Sequence, residues 1–356
     1  LACFMVPHPP LILPDIGRGQ EKEIQKTIDA YKEVARRIGN LKPDTIVLCT
    51  PHQVMYSDYF HISPGAGAKG NFAQFHAGQV KIEVPYDREF VERLCSMPEV
   101  RNLPAGTEGE RSRELDHGAM VPLYFVNQFF KEYKLVRIGL SGLSLIKHYE
   151  LGESIGKTAE KLGRRTVFIA SGDLSHRLKA EGPYGYQAEG PEYDSRLMAL
   201  MGEGAFGKLF DFSEDFCEKA GECGHRSFTI MAGALNKKKV QAEMLSYEGP
   251  FGVGYGICAY QVCGAGPGRN FKEQYQQREK NRVMQRREQE DAYVRLARKT
   301  IETFVRTGNK IEMPKEAPEE VRNRRAGVFV SIKEDGRLRG CIGTTGPTTS
   351  SVAWEI

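Results

Sequence analysis

Two stretches decide how this chain is read: Thr45–Thr50, TIVLCT, and Thr166–Ser171, TVFIAS. Both are apolar and β-branched without polar alternation, as expected of strands covered on both faces. Residues 135–140, LVRIGL, form a third such run. Around them, amphipathic helical patterns occupy residues 20–38, 88–95, 149–162 and 195–209. The alternation predicts an α/β fold with a mainly parallel central sheet flanked by helices. Two further strand patterns, at 241–247 and 254–262, carry this first domain from residue 1 to 263.

The composition changes after that point. Residues 264–268, GAGPG, make a flexible break, and 264–290 read as a charged helical linker dense in Arg, Glu, Gln and Lys. Such a stretch reads more readily as a solvated helix than as a nucleic-acid arm. Helical character continues to residue 306. Residues 291–356 then form a small α+β unit with a strand at 326–332, a turn at 334–336 and LRGCIG at 338–343. A core this small is expected of an incomplete domain.

Bulk properties narrow the function classes. The 356 residues are 40% hydrophobic and 27% charged, which excludes a disordered, collagen-like or coiled-coil protein and favours two domains. A net charge of +4 is too weak for a nucleic-acid partner along the whole chain. No apolar run has membrane-spanning length. The apolar start is broken by Pro7, His8, Pro9 and Pro10 and lacks a basic flank, so it reads as a strand entering a loop. Eight cysteines without a Cys-x-x-Cys pair predict reduced thiols in a cytoplasm.

The chemistry gathers where strands end, which is where α/β sheets build sites. His8 follows the first strand in VPHPP, His52 the second in TPHQ, and His176 another in SGDLSH. His117 stands in DHG before an apolar helix. One buried histidine is usually structural, but four at loop positions, three beside Pro or Gly, suggest held ligands. His61, His76, His148 and His225 are weaker; for His148, at a helix start, a capping or surface role is the default. In GECG, Glu222 can serve the helix dipole or complete a two-histidine, one-carboxylate set, which suits non-heme Fe(II) and dioxygen. Cys223 beside it is the softer alternative and shifts the preference toward zinc or copper. Glu222 is the preferred third ligand. Asp173 and Asp116 are candidates for orienting His176 and His117, with turn formation as the bland alternative. Tyr184, Tyr186 and Phe72 are candidate aromatic walls.

Taken together and in order, VPHPP, TPHQ, LDHGAMVPL, SGDLSH and GECG resemble the class III extradiol ring-cleaving dioxygenases, the LigB-like superfamily that includes the Memo proteins. The resemblance implies that His8, His52 and the acidic residue bind Fe(II), that His176 is the general acid/base and that His117 touches substrate or dioxygen. The implied substrates are a small aromatic diol and dioxygen. A Memo-like register with Cys223 implies instead a copper- or zinc-binding redox or partner-binding protein. Residues 338–343 resemble the signature of AMMECR-type domains. The pairing of the two domains implies a functional link to a radical SAM protein, and the first family's habit implies a homo-oligomer.

Overall fold

The computed structural model describes residues 1–313, 317–334 and 337–356. By packing, the chain divides into two compact units, Leu1–Tyr275 and Gln276–Ile356.

The first unit is built on a six-stranded sheet. Its strands are β1 (Ala2–Val6), β2 (Thr45–Thr50), β3 (Lys134–Gly139), β4 (Thr166–Ser171), β5 (Lys238–Glu248) and β6 (Tyr255–Ala265). Their order is β3-β2-β4-β1-β6-β5. The first four run parallel, and the β5–β6 hairpin continues the sheet antiparallel from β1. Every residue of β1, β2 and β4 is buried, which explains the unbroken apolar runs.

Alternation along each strand sends side chains to two cores. Cys3, Met5, Val47, Cys49, Phe168 and Ala170 face one, Phe4, Val6, Ile46, Leu48, Val167 and Ile169 the other. The second core is closed by α1 (Gln25–Leu41) and α2 (His117–Val126). The first is closed by α3 (Leu145–Leu162), α4 (Glu189–Glu203) and α5 (His225–Ala234). Each fully buried Val, Leu, Ile or Phe side chain contributes roughly 1.5–3 kcal/mol relative to exposure, so these helices are fixed by their apolar faces.

Several expected boundaries move. The pattern at 20–38 splits into a 3-10 turn, Gln20–Ile24, and α1. The helix expected at 195–209 is α4, starting at Glu189, and 3-10 geometry takes over at Phe206–Asp211 after the left-handed Gly204. Residues 264–275, expected in a linker, pack on the first unit. There α6 (Phe271–Glu288) begins, with the Phe271 ring 6.3 Å from Phe206 and the Tyr275 ring 4.9 Å from Phe210. Lys272 Nζ adds a 2.7 Å bond to Glu153.

In the second unit, Asp291 caps α7 (Ala292–Thr307) by accepting from the Val294 N–H at 2.8 Å. Strands β7 (Phe329–Glu334) and β8 (Arg337–Gly343) pair antiparallel. The turn expected at 334–336 falls on residues 335 and 336, outside the described ones. Leu296, Val321, Val352 and Ala353 form the small core. Among the described residues no helix is long and apolar enough to cross a membrane.

Candidate metal centre

The parallel strands deliver their carboxyl ends to one edge of the sheet, and the expected residues meet there. His8 leaves β1, His52 leaves β2, Asp173 and His176 leave β4, and His117 opens α2. The ligating atoms of His8, His52 and His117 lie within 4.8 Å of one another. Those of His8, Asp173 and Cys223 form a second such group. His8 belongs to both.

Hydrogen bonding fixes the state of His8. The Ser171 hydroxyl donates to the Gly118 carbonyl at 2.6 Å, so its lone pairs are left to accept from His8 Nδ1–H at 2.9 Å. The bare Nε2 then faces His52 Nε2 at 2.9 Å and Cys223 Sγ at 3.6 Å. A histidine that donates through one nitrogen to a fixed oxygen and offers the other is oriented as metal ligands are. The His8 backbone N–H donates to Asp173 Oδ1 at 2.8 Å, and Asp173 Oδ2 stands 4.0 Å from His8 Nε2 and 3.8 Å from His176 Nε2. His176 donates through Nδ1 to the Gly221 carbonyl, leaving its Nε2 free.

Electrostatics favour neutral imidazoles. Burial, then the neighbouring His52, His117 and His176, holds His8 well below the usual histidine value. Burial also lowers His52 and, aided by His52, brings His117 down to about 4. Burial raises Asp173 to about 6, with His176 and the His8 N–H opposing it, and pushes the Cys223 thiol up. A cation here would reverse the acidic and thiol shifts and leave the imidazoles in their ligating form. The donor set therefore fits a metal ion.

Glu222, expected as the third ligand, is engaged elsewhere in this structure. Its carboxylate accepts the His225 N–H at 2.6 Å, at the start of α5, and belongs to neither ligating group among the described residues. The cause is a backbone contact. A Cβ on Gly172 would collide with the Gly224 Cα, so the loop after β4 and the GECG loop meet main chain to main chain. In that register Cys223 N–H donates to the Asp173 carbonyl at 3.4 Å, and Asp173 N–H reaches Cys223 Sγ at 3.2 Å.

Asp116 caps α2, accepting from Ala119 N at 3.0 Å and from Thr50 Oγ1 at 2.6 Å. His148 does not cap or face solvent: it is fully buried, bonded at 3.0 Å to the Ser144 carbonyl, and pushed down to about 3 by burial. His61 is buried against the Glu108 carbonyl, and His225 lies between the Tyr193 hydroxyl and the Leu209 carbonyl. His76 ends a 3-10 turn in the left-handed region. A cavity of about 790 Å³ opens over the histidines, lined by Tyr184, Phe75, Phe251 and Tyr255 among others. Phe72 is buried behind it, packed near Phe75, and Tyr186 does not line it. Sequence reasoning missed Phe75 and Ser171; the latter's place in SGDLSH beside Asp173 was the available signal.

Residues 2–258 match the family described as the catalytic LigB subunit of aromatic ring-opening dioxygenase. The chain belongs to the LigB family. Residues 294–356 match the AMMECR1 family. A Clostridium acetobutylicum protein is 39% identical over 99% of this chain and 77% of its own length. The LigB part also resembles the 3,4-dihydroxyphenylacetate 2,3-dioxygenase of Escherichia coli, 25% identical over 69% of this chain and 93% of that enzyme. A MEMO1 family protein of Methanocaldococcus jannaschii is 28% identical over 47% of this chain and 53% of its own length. An uncharacterised Escherichia coli K12 protein of known structure shares the fold, with TM-score 0.51 and 13% identity, over 73% of this chain and 99% of its own.

Proposed function

We propose that the LigB unit is a metal-binding redox or partner-binding protein whose ion is held by His8, His52 and Cys223, with Asp173 at hand as a further donor. The observation that carries this reading is the thiol of Cys223, 3.6 Å from the bare Nε2 of His8, while Glu222 is committed to the His225 N–H. A thiolate beside two imidazoles favours copper or zinc over the two-histidine, one-carboxylate iron arrangement. This is the Memo-like alternative. Its test is metal content and affinity: Cys223→Ser loses the ion and Glu222→Gln retains it. Retention by Cys223→Ser with loss in Glu222→Gln would reverse the assignment.

A second reading, Fe(II)-dependent extradiol cleavage of a catecholic ring, is favoured by His176 and the aromatic-lined cavity. A bound ion would supply Lewis acidity toward a diol and, if redox-active, electrons for dioxygen. The Nε2 of His176 is placed to take a phenolic proton and later return one, with Asp173 Oδ2 3.8 Å away. His117 lies beside His52, ring centroids 3.9 Å apart, where it can contact the diol or dioxygen. Anaerobically Fe(II)-loaded protein should then consume oxygen with a catechol and give a yellow ring-opened product, and His176→Ala should keep the metal yet lose turnover. No oxygen uptake with a panel of catechols removes this second reading and leaves the first.

A further inference from the structure

A charged side chain stands in the middle of β3, and its partners lie on the loops that carry the site. Arg137 is 1% exposed, and alternation places it with Leu135 on the α2 side of the sheet. Its Nε donates to Ser63 Oγ at 2.9 Å, and its terminal nitrogens donate to the Glu114 and Ser112 carbonyls at 2.6 and 3.2 Å. One of them stands 3.9 Å from Asp116 Oδ2. Ser63 Oγ also accepts from Gln53 Nε2 at 2.6 Å. Gln53 follows His52, and Glu114 and Asp116 lead into His117. The two loops are tied a second time through Thr50, whose hydroxyl donates to Asp116 Oδ1 and accepts from the His52 N–H at 3.2 Å.

Gln53 Oε1, His61 Nε2 and Asp116 Oδ2 are buried here without a protein donor. Burying such acceptors is costly, and a fixed cation among them offsets part of that cost. The partners of the Arg137 side chain all lie outside the six-stranded sheet, so the charge serves the loops and not the sheet.

We propose that Arg137 is a positioning residue that sets the spacing of His52 and His117 by clamping both loops through one planar guanidinium. The proposal rests on the reading of His8 and His52 as metal ligands. A lysine offers one point of charge and cannot span Ser63 on one side and two carbonyls on the other.

The test is titration of the full chain with Co(II) alone, reading the dissociation constant and the ligand-field spectrum. Arg137→Lys is expected to weaken binding about 10–100-fold, the usual effect of removing an outer partner of a metal ligand, and to alter the spectrum. Ser63→Ala, which cuts only the Gln53 branch, is expected to weaken it less. In Arg137→Ala, millimolar guanidinium is expected to restore binding, and urea at equal concentration is not. If Arg137→Ala does not fold, Arg137→Lys and Ser63→Ala decide. Wild-type affinity and spectrum in both, even with a lowered unfolding temperature, would overturn the proposal alone. Wild-type protein that binds no Co(II) would overturn the metal reading and this proposal with it.

Discussion

His8 stands between two unlike regions. On one side are His52, on the loop after β2, and His117, at the start of α2, both lowered by burial and His117 also by His52, so that their nitrogens stay neutral. On the other are buried Asp173 and half-buried Cys223, joined through the Asp173 main chain, whose charged forms desolvation disfavours. The imidazole side is ready for a cation at neutral pH. The acid and thiol side becomes ready only as a cation arrives and protons leave. A site built this way couples metal binding to proton release, and the coupling resides in the buried half.

The largest break in this comparison comes from removing the shared residue. His8→Ala should raise the Co(II) or Zn(II) dissociation constant by more than about 100-fold, beyond the usual loss of an outer partner, as calorimetric titration would show. Cys223→Ser, which removes a ligand and not an outer partner, should likewise weaken binding by about 100-fold or more, whereas His52→Ala should leave a weaker site that still contains sulfur.

The pH dependence sharpens the same contrast. Near pH 7.5 the imidazoles are already neutral, so they release no proton. The raised thiol must release one, and affinity should rise about tenfold per pH unit. Below about pH 6 Asp173 also binds a proton, so affinity should fall more steeply with acidification. In Cys223→Ser the slope near pH 7.5 should vanish; a slope unchanged there would place the released proton on another group. The smallest effect belongs to Glu222→Gln. The amide oxygen can still accept the His225 N–H, so stability should fall by about 1 kcal/mol or less, by denaturant titration, and metal affinity should hold.

Much of this was legible before the fold was seen. TIVLCT and TVFIAS announced buried parallel strands because no face of them meets water. His8, His52, His117 and His176 follow strands or open a helix at the edge where loops converge, so their meeting was foreseeable. The choice between Glu222 and Cys223 was not. Adjacent residues point apart, and which one faces His8 depends on the Gly172–Gly224 backbone contact, a pairing 52 positions apart that no local pattern reports. His148 was misplaced for a similar reason, since the Phe60 ring that covers it, 4.7 Å away, comes from a distant two-residue strand. Arg137 was visible as a lone charge in LVRIGL, but its acceptors lie on loops far away in the chain.

The central claim is that sulfur takes part in holding the ion. X-ray absorption on the zinc-loaded full chain tests it directly. The account predicts one sulfur at about 2.3 Å beside nitrogen or oxygen neighbours at about 2.0–2.2 Å, with the sulfur lost in Cys223→Ser and kept in Glu222→Gln. A first shell of nitrogen and oxygen alone in the unaltered protein would contradict it.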